Sequence, residues 1–312
     1  MQKTAYYKGD LVDNTVFEER IKRACELMEK AGLDVILLTK PQNMSYLVGD
    51  GRLCAFAIVS RVGASYVGVP KTDVQDVKKN CASEHIIGFE DEVGMLHSLM
   101  HIWKELNLDI GKVGVENTFL KVSMLEMFKH PHAKPQPLVF TDATHIMTDL
   151  RIVKSGEEIA KLRIAGKVAD KAMAAAVGAV KPGATETMIA GEAEYVMRRN
   201  GAEDFFRTYV ASGPRSSIAH GVVSNRKLRK GDLVMIDLHP TVGGYHSDIC
   251  RTVSVRKPSE TQRRAFDVYL RAQRTAVEAV GPTTTMTKLE NMMHEIFEKE
   301  RYEKYFIGPP IH

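Results

Sequence analysis

Apolar residues at Phe17, Ile21, Ala24, Leu27 and Met28 share one face of a helical wheel and give way at Gly32, so an amphipathic helix is expected over residues 17–31. Residues 34–39 form a short apolar run suited to a buried strand, with Pro41-Gln42-Asn43 closing it. Strand-like runs recur over 54–60, 65–69 and 113–116, separated by helical patterns over 73–81 and 94–106. Strands alternating with helices predict an α/β domain over residues 1–150. No catalytic cluster stands out in it. His97 and His101 lie four apart, as two metal ligands on a helix would, but with no third ligand nearby an ordinary surface pair is expected.

Beyond Leu150 the pattern changes. Ser155-Gly156-Glu157-Glu158 reads as a capping box, opening an alanine-rich helix to about residue 180 that stops at Lys181-Pro182-Gly183. Thr185 suits the cap of a second helix, ended by Asn200-Gly201. Strand-like segments follow over 207–212, 233–238 and 245–255. Helical text then returns, with capping boxes at Ser259-Glu260-Thr261-Gln262 and Thr287-Lys288-Leu289-Glu290 and a break at Gly281-Pro282. Residues 163–206 laid over 263–306 agree at 13 of 44 positions, Pro182/Pro282 and Phe206/Phe306 among them. Average residue usage would give roughly three. Residues 151–312 are therefore expected to form a second domain on an internal repeat, each unit two helices followed by a β-hairpin region. The second unit's β region would run from about 307 to about 355, so in 312 residues it is expected to be incomplete.

Composition narrows the function classes. Hydrophobic residues make up 44% of the chain and charged residues 26%, too apolar for disorder. The 43 Lys and Arg against 39 Asp and Glu leave a net charge of +4, spread along the chain, which argues against nucleic acid or a membrane surface as partner. No apolar run approaches the ~20 residues of a membrane helix, and residues 1–10 lack a signal-peptide core. Cys25, Cys54, Cys81 and Cys250 have neither metal-ligand nor redox spacing, so reduced thiols in the cytoplasm are expected.

The densest chemistry lies over residues 220–252. Asp237 ends the apolar strand Leu233-Val234-Met235-Ile236, where a carboxylate costs several kcal/mol unless paired or metal-bound. Asp248 follows on the return strand, and Pro240 with Gly243-Gly244 supplies the turn. Such a hairpin can set the two carboxylates side by side, where they repel unless a cation lies between them. Hard oxygen donors with one or two histidines suit Mn²⁺, Co²⁺, Fe²⁺ or Zn²⁺. Spacing alone fits equally well a bland alternative, in which Asp237 caps a turn and Asp248 pairs with Arg251. His239 and His246 are further candidate ligands, although positions facing solvent or a substrate pocket are expected for them.

These residues carry a resemblance. Ile236-Asp237 and Gly244-Tyr245-His246-Ser247-Asp248-Ile249-Cys250-Arg251-Thr252, with Ser212-Gly213 and His220 upstream, resemble the creatinase/prolidase/methionine-aminopeptidase ("pita-bread") metallopeptidases. Residues 33–39, 43–49 and 112–116 resemble the amino-terminal domain of prolidases, aminopeptidase P and creatinase, which methionine aminopeptidases lack. His239 stands where the family usually has Gly. The resemblance implies a creatinase-like α/β domain followed by a pita-bread α+β domain with a pseudo-twofold repeat. It implies a dinuclear hydrolase, a Xaa-Pro dipeptidase or aminopeptidase, with two divalent ions (Mn or Co, otherwise Fe or Zn), a Xaa-Pro peptide substrate and a homodimer. Carried over, Asp237 chelates one metal, Asp248 bridges both, and His312, after Gly308-Pro309-Pro310-Ile311, is the third ligand. The last two ligands are glutamates further on, outside these 312 residues, one of which would shuttle the proton. A chain ending at His312 is thus expected to bind metal weakly and not to cleave peptides. His220 matches a non-ligand histidine that stabilises the tetrahedral intermediate. Two rival readings are a creatinase- or ectoine-hydrolase-like C–N hydrolase on the same fold and a non-catalytic peptide-binding relative; retention of both aspartates argues against the latter.

Overall fold

The computed structural model describes residues 6–7, 15–106, 111–129 and 138–307 and divides into two compact units, 1–157 and 158–312. In the first unit the strands are β1 (Tyr6–Tyr7), β2 (Val35–Leu38), β3 (Phe56–Ser60), β4 (Ser65–Pro70), β5 (His85–Phe89), β6 (Lys112–Val115) and β7 (Val139–Asp142). They form one mixed sheet in the order β1-β5-β4-β3-β2-β6-β7. The helices are α1 (Thr15–Ala31), α2 (Pro41–Val48), α3 (Val74–Asn80), α4 (Glu92–Leu106), α5 (Val122–Phe128) and α6 (Thr144–Ile152).

Alternation along each strand sorts this sheet's side chains into two cores. Ile36 and Leu38 join Ala24 and Met28 of α1, Met44 and Leu47 of α2 and Leu150 of α6. Val35 and Leu37 join Leu99, Ile102 and Trp103 of α4 and Phe128 of α5 on the other face. Because both faces are covered, β2 reads as a continuous apolar run, as strands buried on both sides do. Each fully buried Leu, Ile or Phe contributes about 1.5–3 kcal/mol.

Segment 41–48 differs from expectation: Pro41 opens a helix instead of only closing a strand. Proline at the first helical position loses no hydrogen bond. The turn leading into α2 is held from elsewhere in the unit, because the buried Glu116 carboxylate accepts the backbone N–H groups of Thr39 (2.8 Å) and Lys40 (2.9 Å) and the Asn43 side-chain amide.

In the second unit α7 (Gly156–Gly178) and α8 (Glu186–Arg199) precede the strands, and α9 (Glu260–Ala279) and α10 (Met286–Lys299) follow them. The hundred-residue repeat is visible in the helices, since α8 and α10 begin and end one hundred residues apart. Thr185 and Thr285 cap them alike, accepting the N–H of Met188 and Lys288. The cap of α10 is therefore Thr285, two residues before the expected Thr287. The Ser259–Gln262 capping box at α9 forms as expected. The α8 chain reverses at Gly201 (φ 91°), and Arg301 takes the same left-handed conformation (φ 62°) after α10.

Between the helix pairs lie β8 (Asp204–Phe205), β9 (Tyr209–Ser212), β10 (Leu233–Leu238), β11 (Pro240–Val242), β12 (Tyr245–His246) and β13 (Ile249–Ser254). They form two three-stranded sheets, β13-β10-β9 and β12-β11-β8. Val234, Ile236 and Leu238 of β10 pack with Val210 of β9, with Val168, Ala172 and Ala176 of α7, and with Ile189, Ala193 and Met197 of α8. Residues on the alternate positions of β10 face the other way, and there the chemistry lies.

Candidate metal centre

The antiparallel register of β10 and β13 builds the site. Asp237 pairs with Cys250 and Leu238 with Ile249, so one step further places Asp248 across from His239. Asp237 and His239 are two apart and therefore share a face, the one not packed on α7 and α8. On the other side of β10, Tyr209 of β9 pairs with Asp237. The loop is shaped by Gly243 and Gly244, both left-handed (φ 57° and 77°), and the Gly244 N–H donates to Glu203.

Asp237, His239 and Asp248 each present a donor atom within 4.8 Å of the others, and among the described residues no other group of three or more His, Cys, Asp or Glu converges this way. His239 Nε2 lies 3.4 Å from Asp237 Oδ2 and 3.5 Å from Asp248 Oδ1. Asp237 and His239 side chains are 14% exposed, whereas Asp248 is open at 55%. Asp237 Oδ1 is buried and has no hydrogen-bond partner among the described residues. A desolvated carboxylate oxygen costs several kcal/mol unless a cation or donor meets it. Two carboxylates, one imidazole and that open valence fit a divalent first-row metal.

The Asp237 carboxylate beside it raises the His239 imidazole to about 9 against the desolvation that lowers it, with the Arg207 carbonyl and Asp248 adding to the rise. A proton and a divalent cation compete for the same nitrogen lone pair. Cys250, opposite Asp237, is pushed up to about 12 by desolvation and by both aspartates, and its sulfur does not join the converging group.

Period-two alternation puts His239 on Asp237's own face, beside the carboxylates and mostly shielded from solvent, which leaves the pocket position expected for it open. His246 is exposed, with Nδ1 2.7 Å from the Thr241 hydroxyl, and does not join the group. The Arg251 guanidinium donates to the Cys250 carbonyl (2.7 Å). His312 lies outside the described residues. His97 and His101 sit on α4, where His101 meets Glu105 at 3.3 Å.

His220 is exposed on a turn, and its ring packs at 5.3 Å on Tyr209. Tyr209 also meets the His239 ring edge-on at 6.0 Å, so one buried aromatic ring touches both histidines. No local motif marks Tyr209; only its pairing with Asp237 does. Gly221 lets the turn approach β9, since a Cβ there would stand 2.5 Å from that of Ala211. Glu186, fully buried at the start of α8, fastens both ends of the turn. Its carboxylate accepts the Ser212 N–H and hydroxyl (2.8 and 2.7 Å), the Ser224 N–H and hydroxyl (3.1 and 2.7 Å), and the Arg215 guanidinium. Burial pushes this carboxyl up, but those hydrogen bonds outweigh it and hold it below its usual 4.5.

Comparison with known proteins places this geometry. Residues 160–309 match the model of metallopeptidase family M24, and residues 20–153 match the creatinase/prolidase N-terminal domain. The Xaa-Pro dipeptidase of Pyrococcus furiosus is 34% identical over 93% of this chain and 80% of its own length. The solved structure of a prolidase from P. furiosus superposes with a TM-score of 0.79 at 33% identity, covering 91% of this chain and 80% of that one. A Xaa-Pro dipeptidase from Bacillus anthracis gives 0.82 at 27% identity, covering 94% and 80%. With the carboxylate hairpin, the helix-pair repeat and these similarities in agreement, the chain belongs to metallopeptidase family M24 and carries the creatinase/prolidase amino-terminal domain ahead of a pita-bread domain.

Proposed function

We propose that this protein is a metal-dependent hydrolase that cleaves the bond between an amino-terminal residue and proline. The observation that carries the reading is the convergence of Asp237 and Asp248 on one hairpin face, with Asp237 Oδ1 buried and unpartnered. The relatives named Xaa-Pro dipeptidase support the substrate class. Asp237, Asp248 and His312 hold two divalent cations, Mn²⁺ or Co²⁺ being preferred. When bound, such cations polarise the scissile carbonyl and activate the attacking water. His220, exposed and packed against Tyr209, the cross-strand partner of Asp237, donates a hydrogen bond to the developing oxyanion. Four free cysteines support a reducing compartment, the cytoplasm.

The test is a substrate panel on the full-length protein with Mn²⁺ or Co²⁺: Xaa-Pro dipeptides, longer peptides beginning Xaa-Pro, creatine and cyclic amidines. Xaa-Pro cleavage that is lost together with metal binding in Asp248→Ala is the expected result. Metal-dependent turnover retained by that variant, or turnover of creatine or an amidine alone, overturns the proposal.

A further inference from the structure

The position two residues after Asp237 is occupied by an imidazole whose surroundings are those of a ligand. Its Nδ1–H donates to the Arg207 carbonyl at 2.8 Å, which fixes the ring and leaves Nε2 as the nitrogen aimed at the carboxylates. Metal-bound histidines are commonly held this way, by a carbonyl on the far nitrogen that sets tautomer and orientation. Phe206 and Tyr209 meet the same ring edge-on at 6.0 Å each, so it is packed as well as hydrogen-bonded.

The distances point the same way. At 3.4 and 3.5 Å, Nε2 is beyond the ~2.7–3.2 Å of a well-formed N–H···O bond to either carboxylate. Donors bound at ~2.0–2.1 Å to one ion stand about 3.0–3.4 Å apart, according to whether the shell is octahedral or tetrahedral. The 3.4 Å edge of the donor triangle matches the tetrahedral spacing of neighbours around a shared cation and the 3.5 Å edge lies just beyond it, and the orphaned Oδ1 belongs to the same Asp237 carboxylate. The register adds a third argument: His239 sits across from Asp248 and on the face of Asp237, so no backbone movement is needed to bring the three donors together.

We propose that His239 Nε2 is a direct protein ligand of the divalent cation held by Asp237 and Asp248. This inference rests on the metal-dependent reading above and extends it. A nitrogen donor in an otherwise oxygen-rich site shifts preference toward Co²⁺, Fe²⁺ or Zn²⁺ and away from Mg²⁺ and Ca²⁺.

The experiment loads the full-length, ¹⁵N-histidine-labelled protein with Co²⁺ alone and follows imidazole resonances by NMR, alongside calorimetric Co²⁺ titration. The expected result is a His239 ring signal with a contact shift, which only through-bond ligation produces, and a slowly exchanging Nδ1–H. In His239→Asn the carboxamide keeps a donor near the Arg207 carbonyl but removes Nε2. That variant is expected to lose the signal and bind Co²⁺ about 10–100-fold more weakly. A His239 ring without a contact shift in the Co²⁺-loaded wild type overturns the ligand assignment, whether or not the variant folds, and leaves the metal site itself standing. Failure of the wild type to take up Co²⁺, or uptake unchanged in both Asp237→Asn and Asp248→Ala, overturns the metal-dependent reading and this inference together.

Discussion

Strands β2 and β10 carry similar apolar runs, Val35-Ile36-Leu37-Leu38 and Leu233-Val234-Met235-Ile236-Asp237-Leu238, yet they do opposite work. Both faces of β2 disappear into cores, and every one of its residues is exchangeable for another apolar group of similar volume. β10 buries one face against α7 and α8 and turns Met235, Asp237 and the following His239 the other way. A polar residue at one parity of an apolar strand thus marks the chemistry, and the stabilising side chains stand at the other parity. Stability and function are separable at the level of single residues.

Paired substitutions give the sharpest test of that separation. Asp237→Asn is expected to weaken metal binding by more than about 100-fold, the range that even outer-shell changes reach, while changing the unfolding free energy measured in urea by no more than about 1 kcal/mol. Phe56→Ala, at a fully buried position of β3, is expected to cost about 3–5 kcal/mol and leave metal affinity unchanged. Calorimetric titration and urea unfolding on both variants check the pair; a large stability loss in Asp237→Asn would break the comparison.

Glu186 is the place where the two roles meet, because a buried charge holds the turn that carries His220. Glu186→Gln leaves the half-buried Arg215 without its carboxylate and is expected to destabilise by about 3 kcal/mol. It also supplies the pH test. The folded carboxyl titrates below 4.5, so its stabilisation is full above the unfolded value and is lost as pH falls through the folded one. Urea midpoints measured from pH 6 down to pH 3 should therefore fall more steeply for the wild type than for Glu186→Gln.

Gly221→Ala acts on the turn alone. The new methyl meets Ala211 and displaces His220, and a misplacement of about 1 Å costs on the order of 100-fold in turnover. Steady-state kinetics should show the loss in kcat with metal affinity intact. The smallest effect is expected at Arg301, which holds a left-handed conformation that its counterpart Gly201 adopts without strain. Arg301→Gly should raise stability by up to about 1 kcal/mol, read from thermal unfolding.

Much of this was legible in the residue pattern. The α/β first unit, the helix-pair repeat and the hairpin of Asp237 and Asp248 follow from periodicity, turn residues and capping signals. The helix α2 was not, because the turn that leads into it is held by Glu116, a residue far away in the chain and without a local mark. Strand β5 escaped for a related reason, being a short run interrupted by Gly88 and defined by its partners β4 and β1. At the site, Tyr209 needed the β9–β10 pairing to be recognised. His239 was open to recognition through its two-residue spacing from Asp237, but its role depends on a hydrogen bond to Arg207 that no spacing encodes.

The hairpin that carries the donors also has a kinetic meaning. Asp237, His239 and Asp248 are brought together by closing a single short turn, a microsecond event in isolated hairpins. The sheet of the first unit must instead wait for long-range pairing, Val35 with Val113, before β2 and β6 can align. The candidate metal site is therefore built on the topologically simpler pairing of the two. A cation present during folding would find its first donors already neighbours while the larger sheet is still searching for its strands.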